Sequence, residues 1–354
     1  MKLTRSLFAT AVISLISTSA FAQQMYRLSV IPPLAGFKDS YATSINEIGD
    51  VSGYAINYTP VLSQLGFVYR GGVTTSIGKL SAKSVFSIAN YVSPSGQVIG
   101  VSDTGDNRPQ GMTKVGTKVY NIFPNNGGHT HALRSDAQGR IYGYFFRRGG
   151  VSWQGGMWTP NRKKAGTYTE TLLGAPGDLA SFNSVGQATG HTTGTRTSAA
   201  FWNNTGTRSV QVLPSTPEFA SSLGVGIADI GDIVGVGYPA FSARPLLWTA
   251  ATGYALTELP VLPGDNFGVA SVINNLGTII GTSAYMDPVT QSITRGQYVV
   301  WTNGIPTPLV SLLDPTSSSG WQIMGILGIN NKGQVAANAT NGTVVRAVTL
   351  TPIP

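Results

Sequence analysis

A short phrase recurs seven times along the chain: a polar turn, a glycine, two variable or β-branched residues and, in most copies, a second glycine. The first copy reads Ile45-Asn46-Glu47-Ile48-Gly49-Asp50-Val51-Ser52-Gly53, and the last, Ile329-Asn330-Asn331-Lys332-Gly333-Gln334-Val335-Ala336, has Ala337 in place of the second glycine. The turn glycines stand at 49, 96, 139, 186, 231, 277 and 333, at spacings of 47, 43, 47, 45, 46 and 56. Asn or Asp shortly before a glycine, between two apolar runs, is hairpin chemistry, because Asn and Asp tolerate the left-handed backbone region and glycine has no side chain to clash there. Each copy therefore predicts the bend between a first and a second strand.

A third run, often aromatic, follows each bend: Gly66-Phe67-Val68-Tyr69, Gly156-Met157-Trp158, Ala200-Phe201-Trp202, Leu246-Leu247-Trp248, Tyr298-Val299-Val300-Trp301. A fourth run closes the unit, as in Val210 to Pro214, Ala255 to Pro260 and Thr307 to Leu312. Four strands in about 45 residues is the size of a propeller blade. The seventh unit runs out after its third strand, Val344 to Thr349, while an unclaimed strand, Tyr26 to Pro33, precedes the first unit and resembles the fourth strands. Pairing the two would close a ring and remove an exposed edge. The expected fold is all-β, a single-domain seven-bladed β-propeller over residues 23–354 closed by residues 26–33; a β-solenoid or a pair of sandwiches is the rival reading.

Composition agrees. Gly (44) and Pro (20) are abundant among 354 residues, and charged residues make up only 11%, a mixture suited to short strands and tight turns rather than to a helical bundle, a coiled coil or a disordered chain. Residues 1–22 carry a basic start (Lys2, Arg5), an apolar run from Leu7 to Ile16 and an Ala20-Phe21-Ala22 terminus, the pattern of a secretory signal peptide cleaved before Gln23. The expected product is monomeric and soluble, in the periplasm or outside the cell, with no later membrane insertion. The chain has no cysteine, which excludes disulfides, thiol catalysis and thiolate metal sites. Net charge falls from +8 to +6 when Lys2 and Arg5 are removed, and without a basic-aromatic pattern no nucleic-acid partner is expected.

The units, with Ile-Asn before an Asn-x-Gly turn and then an aromatic third strand, resemble the extracellular HAF-repeat family of bacterial exported proteins. The chain departs from the namesake His-Ala-Phe, since Ala199 stands where the His would precede Ala200-Phe201. The resemblance implies a secreted repeat protein and supplies no catalytic residue. Trp-Asp pairs, the mark of WD propellers, are missing, and the Gly-Gly doublets at 71–72, 127–128, 149–150 and 155–156 do not recur at one place in each unit as they do in kelch propellers.

In a propeller, the loops joining strand two to three and strand four to the next strand one share a face where ligands usually bind. His129, His131 and His191 all project there, with Asp178. A three-His metal site or a His-acid pair is one reading, and turn-capping or solvated histidines are the simpler one, so no metal or cofactor is assigned. Tyr144, Arg147, Arg148 and Trp153 form the most suggestive cluster, since aromatic faces with Arg hold a sugar ring or an acidic group. Arg162-Lys163-Lys164 belongs to a hairpin tip on the opposite face. Nothing in the spacing of Asp103, Asp106, Asp178, Asp265 and Asp287 selects a glycosidase pair, and Asp103 to Asn107 lacks the terminal Glu of a calcium loop. No nucleophile elbow, phosphate loop or His-Glu-x-x-His is present. The expected function is a non-catalytic binding module for a glycan, a peptide or an envelope protein; a carbohydrate-active hydrolase or lyase with a His/Asp site on the same face is the alternative, and a purely structural role the third.

Overall fold

A computed structural model describes residues 24–59, 62–123, 128–150, 153–173, 178–192, 195–203, 210–240 and 242–354; the expected signal peptide lies outside them. Seven four-stranded antiparallel sheets follow one another. Blades 1 to 6 occupy residues 39–76, 87–121, 129–172, 178–212, 221–258 and 267–308. Blade 7 takes Gln322–Ile329, Val335–Thr340 and Val345–Ile353 and, as its fourth strand, Met25–Val30 from the other end of the chain. That strand pairs antiparallel from Met25↔Ile353 to Val30↔Val348. The protein is a seven-bladed propeller with the expected closure.

The bends repeat at atomic detail. Asn46 Oδ1 accepts from the backbone of Ile48 and Asp50, Asp136 Oδ1 from Gln138 and Arg140, and Asn330 Oδ1 from Lys332 and Gln334. Each side chain thereby mimics a backbone turn. The seven turn glycines all have φ between 75° and 95°, where a Cβ is disfavoured.

The second glycine has a different cause. Every first strand carries a register shift, between Ala42 and Ser44 in blade 1 and between Ala132 and Arg134 in blade 3, and the second glycine pairs with the residue before the bulge, as Gly53 does with Ala42. A Cβ on Gly143 would stand 1.9 Å from the His131 carbonyl, and one on Gly281 2.0 Å from that of Val269. Blade 7, with Ala337 at this position, has two register shifts in its first strand rather than one, so its backbone makes the room that glycine supplies elsewhere.

Blades pack face to face through the third-strand aromatics. Trp158, Trp248 and Trp301 are fully buried, and the indole N–H groups of Trp248 and Trp301 donate to the carbonyls of Pro214 and Pro260, which follow the preceding blade's fourth strand. Emptying a site of that size costs about 3–5 kcal/mol.

One expected strand needs correction. The fourth strand of blade 6 is Ile305–Pro308, and Leu309–Leu312 is a 3₁₀ helix followed by a short helix, Pro315–Ser318. Leu309 and Leu312 are both buried while Val310 between them is exposed, a period of three that a 3₁₀ turn satisfies and a strand does not. This insertion accounts for the long 56-residue spacing. It also covers the closing strand, with Asp314 N–H donating to Tyr26 O and Leu28 N–H to Ser317 Oγ.

Two faces result. The loop face carries the connections between strands two and three and between successive blades; the bend face carries the seven repeated turns. Among the described residues no helix is long and apolar enough to cross a membrane.

Candidate functional sites on the two faces

At the loop face of blade 3, adjacent antiparallel strands bring four of the anticipated residues together. His129 and His131 lie two apart on the first strand, opposite Phe146 and Tyr144 on the second. Residues spaced by two share a side of a sheet, and Trp153, just before the third strand, covers this group. Its ring centroid lies 6.2 Å from His129, 5.6 Å from His131, 5.2 Å from Tyr144 and 5.7 Å from Phe146, while His131 stacks on Tyr144 at 4.9 Å. Trp153 itself is 45% exposed. Burial holds the His131 imidazole below its usual basicity, and neighbouring His129 adds to that.

Arg147 does not join this group. Its side chain lies over Phe123 and Phe145 at 5.2 and 5.1 Å and forms an ion pair with Glu170 at 2.7 Å. Phe145 is buried against Tyr91 and Ile99 of blade 2, whereas Tyr142, two before Tyr144, packs toward Phe182 of blade 4, so Arg147 and the aromatic group occupy opposite sides of one sheet. Arg148 is exposed at the following position. His191 is in blade 4, its backbone paired with Asp178; the Asp178 side chain lies outside the described structure. Among the described residues no three His, Asp or Glu side chains cluster as a metal site would require.

Other loop-face carboxylates hold the loops in shape. Asp103 is fully buried and accepts from the backbone of Val85, Phe86, Gly105 and Asn107, Asp106 pairs with Arg108, and Asp265 pairs with Arg295 and accepts from Ser283. Asp287 accepts from Thr290 and Val289 in its own turn, and these bonds hold its carboxyl below the usual carboxylate pKa.

The bend face holds a second site that sequence reading missed. The residue two before each turn glycine lies beside the channel, and in five blades it links to its neighbour: Ser184 N–H donates to Asp229 Oδ1 (2.7 Å), Asp229 N–H to Asn275 Oδ1 (2.7 Å), Asn275 N–H to Asn331 Oδ1 (2.8 Å) and Asn331 N–H to Glu47 Oε2 (3.0 Å). An inner set of amide bonds runs from Asn183 to Ala228 O, Asn274 to Asn330 O and Asn330 to Asn46 O. Blades 2 and 3 interrupt the circuit. Their residues at this position are Pro94, which has no N–H, and Ala137, which has no acceptor.

The same two blades differ five residues before the turn glycine. There the other blades have Ser44, Ser181, Gly226, Val272 and Gly328, but blades 2 and 3 have Tyr91 and Arg134. The Arg134 guanidinium lies 4.7 Å from the Tyr91 ring centre. Burial raises the Tyr91 phenol's pKa, with Asp229 and Glu47 adding to that and Arg134 opposing it. A cavity of about 320 Å³ opens here, bounded by Glu47, Tyr91, Arg134, Ser135, Pro94 and Asp229, next to a channel cavity of about 250 Å³ that also reaches Glu47, Arg134 and Asp229.

The chain matches no protein-family model and no curated protein sequence. Solved structures do resemble it. The β-propeller domain of the trilobed protease from Pyrococcus furiosus, described as having an open velcro topology, superposes with a TM-score of 0.58 at 11% identity, covering 89% of this chain and 94% of that one. Pyrococcus horikoshii acylaminoacyl peptidase gives 0.54 at 8% identity, over 89% of this chain and 51% of that one, so the present chain spans about half its length. At such identities the likeness is one of fold, and it places this chain among the β-propellers.

Proposed function

We propose that this chain is an exported, non-enzymatic binding propeller that holds a glycan, a peptide or an envelope protein on its loop face. The observation that carries the reading is Trp153, 45% exposed and supported from beneath by the rings of His129, His131, Tyr144 and Phe146. A large apolar face held rigid by its neighbours binds with little loss of side-chain freedom, and sugar rings stack on such faces, which puts a glycan first among the three. The loop-face carboxylates support binding over turnover, because Asp103, Asp106, Asp265 and Asp287 are each engaged by the loop that carries them. Export through residues 1–22 and kinship with the HAF-repeat proteins belong to the same reading, supported by the basic and apolar start and by the seven Gly-centred bends.

The test is a glycan and peptide array probed with the chain and with Trp153→Ala. Binding that falls by about tenfold or more in Trp153→Ala, with the melting temperature preserved, bears the proposal out. Binding unaffected by that change moves the site away from blade 3, and turnover of a bound glycan replaces a binding module with an enzyme.

A further inference from the structure

The bend-face cavity holds charges of both signs that the protein does not pair with each other. Among the described residues, Arg134 has no carboxylate within ion-pair distance, and neither Glu47 nor Asp229 has a cation. Arg134 Nε is buried without a hydrogen-bond partner, and so is Ser135 Oγ on the next residue, which is 1% exposed. Buried donors are nearly always satisfied, and these two adjacent exceptions belong to residues on the wall of one cavity. Across the cavity, Glu47 and Asp229 each give one oxygen to a neighbouring blade's N–H and leave the other unbonded. Asp136, also on the wall, is already satisfied by Arg140 (2.5 Å) and the Tyr142 hydroxyl (2.8 Å).

Size narrows the occupant. At about 320 Å³ the cavity sits at the low end of ligand pockets, roughly 300–1,000 Å³, which suits one or two residues. We propose that the bend-face cavity binds a small zwitterion, a free α-amino acid or a dipeptide, with its carboxylate on Arg134 and Ser135 and its ammonium on Glu47 and Asp229. This site is separate from the Trp153 platform and stands or falls without it. Pro94 and Ala137 are the openings through which the ligand enters, since the hydrogen-bonded circuit that binds the other blades together is interrupted at these two residues.

The experiment is a thermal-shift screen of the chain against the standard amino acids and L-alanyl-L-alanine at about 10 mM, followed by calorimetry on the strongest. The N-acetylated and the C-amidated forms of that ligand serve as controls, with Arg134→Met, the Glu47→Gln/Asp229→Asn pair and Trp153→Ala as variants. Gln and Asn keep the acceptor oxygens that the Asn331 and Ser184 N–H groups use, so the paired variant preserves the circuit. Each blocked form, Arg134→Met and the paired variant are expected to bind about tenfold more weakly or worse, and Trp153→Ala as tightly as the parent. No shift with any probe overturns the proposal, as does a blocked form binding as well as the free one, or undiminished binding in the paired variant.

Discussion

The side-chain amide of Asn330 donates to the backbone carbonyl of Asn46 at 3.0 Å, across 284 residues of sequence. The same side chain shapes its own bend, accepting from the backbone N–H groups of Lys332 and Gln334 through Oδ1 and donating to the Gln334 side-chain oxygen Oε1 at 2.9 Å through Nδ2. One residue thus serves a local turn and the junction between the last blade and the first. Asn274 does likewise between blades 6 and 7.

Separating the two duties is a matter of one atom. Asn330→Asp keeps the acceptor and loses the donor, whereas Asn330→Ala loses both. The Ala variant is expected to lose about 1–3 kcal/mol and the Asp variant about half of that, measured by urea unfolding with unchanged slope. Equal losses in the two would mean that the turn acceptor contributes nothing and the donated bonds, the junction among them, everything.

What could be read from sequence was what is local. In five blades an Asx residue stands three before the turn glycine and defines a bend without help from the rest of the chain; Ser93 and Ala228 stand there in blades 2 and 5, where the glycine spacing marks the bend instead, and counting strands at the two ends exposes the closure. The 3₁₀ segment was misread because Leu309, Val310 and Leu312 are apolar enough for a strand, and only the side on which Leu309 and Leu312 are buried tells the two apart. On the loop face, Tyr144 and Trp153 were seen together correctly, but Arg147 was grouped with them by proximity in sequence although one step along a strand reverses the side. The bend-face site has no motif at all. Its signal was available in the repeats themselves, where Tyr91 and Arg134 stand out in a column of Ser, Gly and Val, and Pro94 and Ala137 in a column of acceptors.

Ring closure gives the largest expected effect. Tyr26 and Leu28 are buried in one cluster with Leu309, Leu312 and Leu313, and their strand covers the edge of Val345–Ile353. Deleting residues 23–33 removes that apolar packing and bares a long strand edge. The melting temperature is expected to fall by roughly 10 °C or more, with association of the opened blades in light scattering. A chain that melts unchanged would show that the insertion at 309–318 closes blade 7 without the N-terminal strand.

The aromatic platform makes stability sensitive to acid. Burial, with the charge of His129 adding to it, lowers the pKa of His131 from the ordinary 6.5, so the unfolded chain takes up this proton before the folded one does. Stability from this group is therefore complete above the unfolded value and declines as pH falls through 6.5 toward the lower folded value. His131→Phe keeps a ring against Tyr144 and Trp153 and removes the titration. Between about pH 7.5 and pH 5 the parent is expected to lose more of its melting temperature than His131→Phe does. Parallel losses in the two proteins would mean that His131 takes up its proton as easily folded as unfolded, and that the rings around Trp153 open to water on acidification.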